Sequence, residues 1–324
     1  MSTTICEPAV TPYKLLTYLA EGGARAGLLV QDHVHDLAEL TGRQADGSVL
    51  GVLEDWPASQ ARLDAVAQWA SGRLAEGQSL DRVRLAPPIL YPSAIYCAGA
   101  NYRDHSREMI AASGREEGPD PKAAGMSAWH FLKPPRTLSA DQAVVPRPAG
   151  CKALDWEVEL AAIIGRRAHR VRPESALEFV AGYTVAIDLS ARDLFRRPPT
   201  PPGSPFFHDW LGHKGFDGAC PLGPWIIPAD RIGDAQNLEL GLKVNGVVKQ
   251  HSNTAEMIFS IAEQIADLSA HRTLHPGDLV LTGTPAGVGA ARKEFLQPGD
   301  RVEAWVEGIG SLNVTIAEDE AAAA

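Results

Sequence analysis

Residues Ala153–Gly165 read ALDWEVELAAIIG, with Asp155, Glu157 and Glu159 alternating with Trp156, Val158 and Leu160. Side chains of a strand alternate between its faces, so the three acids share one face. Like charges aligned in this way repel. The apolar flanks, Trp156 on one side and LAAII on the other, set them beside a core rather than on a solvated rim. Carboxylates next to a core need a partner cation. An E-x-E pair alone also fits a solvated sheet face, but three carboxylate oxygens facing one point suit a hard divalent ion such as Mg²⁺ or Mn²⁺. The third oxygen could come from Asp155 or from an acid elsewhere. GYTVAIDLSARD offers Asp188 at the end of a very apolar run, where core packing does not explain an acid.

Working outward, short strand-like runs alternate with Gly/Pro turns: AIYCAGA, VAGYTVAIDL, LELGLKVNGVVKQ, DLVLTG and RVEAWVEGIGSLNVTI. Asn245-Gly246 predicts a tight type I′ hairpin. One helix is expected in NTAEMIFSIAEQIADLSAH, with a capping-box-like start at Asn253 and Glu256 and an apolar stripe of Met257, Ile261, Ile265 and Leu268. Strands dominate and this helix is isolated, so βαβ winding is not supported. The expected class is α+β, with a β-rich core. Residues 1–88 read as a small N-terminal α/β domain: a hairpin in RAGLLVQDHVHDLAEL, then an amphipathic helix through Leu63, Val66, Ala70 and Leu74. LAPPILYPS is a plausible linker. Residues 89–316 form the second unit and 317–324 a loose tail. Arg196–Phe207, RRPPTPPGSPFF, is too rich in Pro for regular structure and is expected as a surface loop near a site.

The chain has 324 residues, 45% hydrophobic and 22% charged, which suits a globular fold with a sizeable core. A net charge of -10 argues against nucleic acid or an anionic membrane as partner. It leaves room for an acidic small molecule if a cation bridges the two. The start MSTTICEPAV lacks the pattern of a secretory signal, and no apolar run reaches the length of a membrane span. Cys6, Cys97, Cys151 and Cys220 are scattered, as expected of reduced thiols in a cytoplasmic protein.

Further candidates lie elsewhere. In NYRDHSREM, His105 and Glu108 share a face of a helical turn. A carboxylate so placed can orient an imidazole and stabilise its protonated form, making a general base, although a surface ion pair has the same spacing. His33 and His35 in DHVHD are better explained as a polar hairpin tip than as metal ligands. TGTPAGVGA lacks the G-K-[ST] ending of a phosphate loop. Lys214, between Gly212 and Gly215, could be an anion ligand or a turn lysine.

Taken together, YCAGANYRDHSREM, FLKPP, LDWEVELAAIIG, GYTVAIDLSARD, HKGFDGACPLGPWI, LKVNGVVKQHSNTAEMIFSI, HPGDLVLTGTPAGVG and PGDRVEAWVEGIGSL resemble, in order, the fumarylacetoacetate hydrolase family. They cover roughly residues 92–316. The resemblance implies a rolled, mixed β-roll or barrel core and a homodimer. It also implies Mg²⁺, Mn²⁺ or Ca²⁺ held by Glu157, Glu159 and Asp188, which moves Asp155 to a capping or supporting place. It implies a catalytic His105–Glu108 dyad with Lys214, and substrate contacts from Tyr102, Arg103, Lys214 and Thr284. Gly215 stands where the family's lysine motif continues with Ser. Phe195 stands where many members carry a Gln that reaches the substrate, so the far end of the substrate is expected to meet a different wall.

The activity so implied is metal-dependent hydrolysis of a 2,4-dioxo acid, of the fumarylpyruvate or maleylpyruvate type, in catabolism of aromatic compounds or sugar acids. The alternatives are a decarboxylase or isomerase of a dicarboxylic 2-oxo acid at the same site, or a catalytically silent protein that binds metal or 2-oxo acid.

Overall fold

The computed structural model describes residues 11–318 apart from Arg115 and Glu117. Cys6, the MSTTICEPAV segment and the 319–324 part of the tail lie outside the described residues. The stretch that opened the sequence analysis forms a strand, Val158–Ile164, buried along its whole length. Its alternation sorts side chains between two cores. Val158, Leu160, Ala162 and Ile164 join one, and Ala161 and Ile163 the other. Such a strand must be covered on both faces, and two layers do so.

Among the described residues the large sheet has twelve strands. Strand Val158–Ile164 lies inside it, antiparallel to Val180–Ile187 on one side and to Leu279–Leu281 on the other. Leu279–Leu281 then pairs in parallel with Ile95–Ala98. On one face, a five-stranded sheet supplies Leu240, Leu242, Ala304, Leu312 and Val314, and the helix Ile261–His271 adds Ile261, Ile265 and Leu268. On the other face lies the helix Trp56–Ser71 with Leu63, Ala67 and Ala70. The fold is mixed α+β, as expected. The rolled sheets remain open rather than closing into a barrel among the described residues.

The hairpin Gly23–Val30 and His33–Asp36 forms as predicted, and Lys14–Ala20 joins it to the large sheet, with Leu15 opposite Ile226. The Asn245-Gly246 turn also forms, with φ of 50° and 79°. The expected helix start differs. Asn253 caps only a short 3₁₀ turn, Thr254–Glu256, and the capping box is made by Ser260 and Glu263. The intervening residues are held away from helical geometry by Asn101, whose carbonyl and side-chain oxygen accept the N–H groups of Ile258 and Phe259. Met257 therefore packs in the core from outside the helix. No helix among the described residues is long and apolar enough to cross a membrane.

Candidate active site

Strand register brings the acids together. Val158 pairs with Ile187 and Glu159 with Ala186, so Glu157 and Asp188 stand opposite each other just beyond the paired ends. The Asp188 N–H donates to the Glu157 carbonyl at 2.8 Å. One carboxylate oxygen from each of Glu157, Glu159 and Asp188 lies within 4.8 Å of the others, and all three side chains are buried. Asp155 is set apart. It accepts the N–H groups of Trp156, Gly289 and Ala290 and pairs with Arg192, fixing a turn beside the site.

Three cations meet these acids. Lys214 Nζ donates to Glu157 at 2.9 Å and to Asp188. Lys133 Nζ donates to Asp188 at 2.5 Å and to the Leu189 carbonyl. Arg192 bridges Asp155 and Glu157. Four carboxylates thus face three cations. The imbalance falls on Glu159, whose hydrogen bond comes from the Gly283 N–H at 2.7 Å. Burial, with Asp188 and Glu157 nearby, pushes the Glu159 carboxyl well above its ordinary range. Burial also acts to raise Glu157, but Lys214 and Arg192 outweigh it and hold that carboxyl low. A charge deficit at a cluster of hard oxygen donors fits a divalent cation held by Glu157, Glu159 and Asp188.

His105 and Glu108 lie on the helix Arg103–Ser113, with the Nδ1 atom 3.9 Å from Glu108 Oε2. That is longer than a hydrogen bond, so the attraction is through space. Glu108 is anchored from behind by the Gly287 N–H at 2.8 Å. Burial opposes its ionisation, but His105 and this N–H together lower its pKa. The His105 Nδ1 atom is buried without a hydrogen-bond partner among the described residues. Gly287, which donates to Glu108, also accepts the Trp156 indole N–H through its carbonyl, so the dyad borders the acid-bearing segment.

Thr284 is buried, its hydroxyl accepting from Gln250 Nε2 at 2.9 Å. Gln250 Oε1 in turn accepts the Val158 N–H, tying the Thr284 loop to the acid-bearing strand. Arg103 donates to the Met257 carbonyl at 2.5 Å and lines a cleft of about 400 Å³ with Arg107 and Ile258. Tyr102 is wholly buried, and its hydroxyl has no partner among the described residues, so direct contact with a substrate requires this segment to shift. Sequence reasoning gave no role to Lys133, Arg192 or Gln250. Lys133 and Arg192 sit inside the quoted segments FLKPP and SARD, but nothing local shows that they turn inward. The thiols of Cys97, Cys151 and Cys220 are free and buried.

The sequence profile of the fumarylacetoacetate (FAA) hydrolase C-terminal family matches residues 94–317. The chain belongs to the fumarylacetoacetate hydrolase family. It is 38% identical over 232 residues to a mitochondrial oxaloacetate tautomerase of Homo sapiens, covering 71% of this chain and 68% of that protein. Among solved structures it resembles a maleylpyruvate hydrolase from Sphingobium sp. SYK-6, described in complex with manganese (II) ion and pyruvate. The TM-score is 0.72 at 29% identity, over 95% of this chain and 100% of the other. A fumarylacetoacetate hydrolase from Exiguobacterium antarcticum gives 0.73 at 31%, over 95% and 100%. Family members therefore include hydrolases and tautomerases built on one core.

His213, beside Lys214, makes stability pH-dependent. Burial first, and then the Lys214 charge, lower its pKa from 6.5 to about 4. The unfolded chain therefore binds the extra proton first, and stability is full above pH 6.5 and lost as pH falls toward about 4. Substituting His213→Asn should remove about 2 kcal/mol of the stability change between about pH 6.5 and 5. Urea unfolding of both proteins across that range measures it, and equal slopes would count against a buried neutral imidazole.

Proposed function

We propose that this chain is a divalent-metal-dependent hydrolase that cleaves the C3–C4 bond of a 2,4-dioxo acid, giving pyruvate and a carboxylic acid. The observation that carries this reading is the His105–Glu108 helix bordering a buried acid triad whose charge the surrounding cations do not cancel. Glu157, Glu159 and Asp188 would hold Mg²⁺ or Mn²⁺, with Ca²⁺ a third candidate. Such an ion supplies a Lewis acid for the substrate's carboxylate and 2-oxo oxygens and for the charge that develops when the bond breaks.

The chain's own groups do the rest. Nδ1 of His105 faces Glu108, which leaves Nε2 as the base. Nε2 takes a proton from water, and the hydroxide oxygen adds to C4. The C3–C4 bond then breaks, its electron pair leaving on C3 as the enolate of pyruvate. The proton held on Nε2 is returned to C3. Glu108 steadies the imidazolium while it exists. Two Lys214 N–H bonds are spent on Glu157 and Asp188, leaving one for a substrate oxygen. The Thr284 hydroxyl, held by Gln250, offers a second contact, and Arg103 and Tyr102 lie on the helix side. The same reading has the chain act as a homodimer, as the family resemblance implies, and in the cytoplasm, in keeping with its scattered cysteines.

A second reading, keto–enol tautomerisation of a 2-oxo acid, is favoured by the similarity to the human oxaloacetate tautomerase. It uses the same base on a C3 proton and needs no attacking water. A panel of 2,4-dioxo acids and oxaloacetate, assayed with Mn²⁺ and with EDTA, separates the two. Hydrolysis consumes the diketone absorbance and releases two acids, whereas tautomerisation preserves mass. EDTA should abolish either. Activity that persists after complete metal removal would sink both.

A further inference from the structure

We propose that the aromatic rings beside the acid triad form a receptor for an aryl group, so that the 2-oxo acid this chain prefers carries an aromatic rather than a carboxylate tail. The proposal rests on the metal-dependent 2-oxo acid site argued above. A run of rings starts at the triad's own lysine. Phe131 lies 5.1 Å from Lys214 Nζ, the atom that bridges Glu157 and Asp188. Phe131 stacks on Trp210, with centroids 5.4 Å apart and 29° between planes, and Trp129 follows at 5.6 Å from Trp210. Phe195 meets Trp210 edge-on at 4.8 Å and stacks on His208 at 4.5 Å. The other side of the run is also tied to the acids, because Phe195 lies three residues beyond Arg192, the partner of Glu157.

These rings do more than fill a core. Trp129 remains 52% and Trp210 39% exposed, although both sit within a ring contact of groups next to the triad. Ring faces carry negative partial charge and take a further ring in offset or edge-on packing. An anionic tail laid on the same faces would lose hydration without gaining a cation. The Arg197 guanidinium nearby is already engaged. Arg197 pairs with Asp209 at 2.6 Å, and Arg196 stands 5.9 Å over the ring of Phe207.

The test uses stable ligands, two of which place different tails on the same two-carbon spacer, so that it does not depend on which reaction the enzyme performs. Calorimetric titration of the Mn²⁺-loaded full chain would compare oxalate, which offers the chelating head alone, with 2-oxo-4-phenylbutanoate and 2-oxoglutarate. The expected result is that the aryl ligand binds at least about tenfold more tightly than 2-oxoglutarate, in the range one well-made apolar contact supplies. Phe195→Gln and Trp210→Leu should each bring that ratio to about threefold or less. Two variants are used so that a folding defect in one leaves the other informative. Equal or tighter binding of 2-oxoglutarate, or a ratio indifferent to both substitutions, overturns the receptor while oxalate binding keeps the head-group site. Failure of oxalate to bind overturns the metal-site reading and the receptor with it. A change of oligomeric state in Trp210→Leu with the ratio intact overturns the receptor in favour of a subunit contact.

Discussion

Substituting Glu159→Gln should abolish tight Mn²⁺ binding and cut turnover at least about a thousandfold, the scale on which a Lewis acid contributes several kcal/mol to a barrier. The same substitution should leave the metal-free fold intact or more stable at pH 7. The two results have one cause. Burial, Asp188 and Glu157 all oppose charge on Glu159, and its hydrogen bond from the Gly283 N–H can be accepted equally by an amide oxygen. An acid whose pKa is raised on folding is a liability wherever the pH lies above its unfolded value, so a neutral isostere removes the penalty. Glu157→Ala makes the contrast. It should also lose metal and activity, but it strips Lys214 and Arg192 of a buried partner. Breaking such pairs costs about 3–5 kcal/mol, so this protein should unfold at visibly lower urea. Metal titration and urea unfolding of the two metal-free variants check both statements. If Glu159→Gln bound Mn²⁺ as tightly as the parent, the triad would not be the metal site.

His105→Ala is expected to keep metal affinity and lose about 10²–10⁴ in hydrolytic turnover, the range for removing a general base. The imidazole makes no hydrogen bond to Glu157, Glu159 or Asp188, so the metal site should survive its loss. Glu108→Gln should have a smaller effect, about tenfold, because it removes the charge that steadies the imidazolium but can still accept the Gly287 N–H. The 3.9 Å gap between Nδ1 and the carboxylate also predicts closure on ligand binding, since such contacts are often long before substrate arrives. Single-turnover assays with Mn²⁺ bound measure the chemical step directly. Full hydrolysis by His105→Ala would remove the dyad from the mechanism.

Much of this was legible locally. Alternation of the acids with Trp156, Val158 and Leu160 marks a strand beside a core, and Asn245-Gly246 marks a hairpin, because both signals depend on neighbouring residues alone. The acid pattern also pointed to a cation. The helix start was misplaced for a corresponding reason: Asn253 and Glu256 carry a local capping signal, but Asn101, more than 150 positions away, fixes the chain there instead.

The sequence by itself determined that Glu157 and Glu159 share a face beside a core, and that His105 and Glu108 share a face of one turn. Both follow from backbone periodicity. Periodicity left open which acid completes the triad; the family resemblance pointed to Asp188, and the tertiary structure supplies the physical reason. Pairing of Val158 with Ile187 sets Asp188 against Glu157, while Asp155 is drawn off by Arg192 and three backbone N–H groups. The tertiary structure also decided that Lys133 and Arg192 turn inward, and that Phe131, Phe195 and Trp210 converge on one side of the site. Charge balance in a buried cluster depends on distances between distant segments, and no periodicity within one segment encodes them.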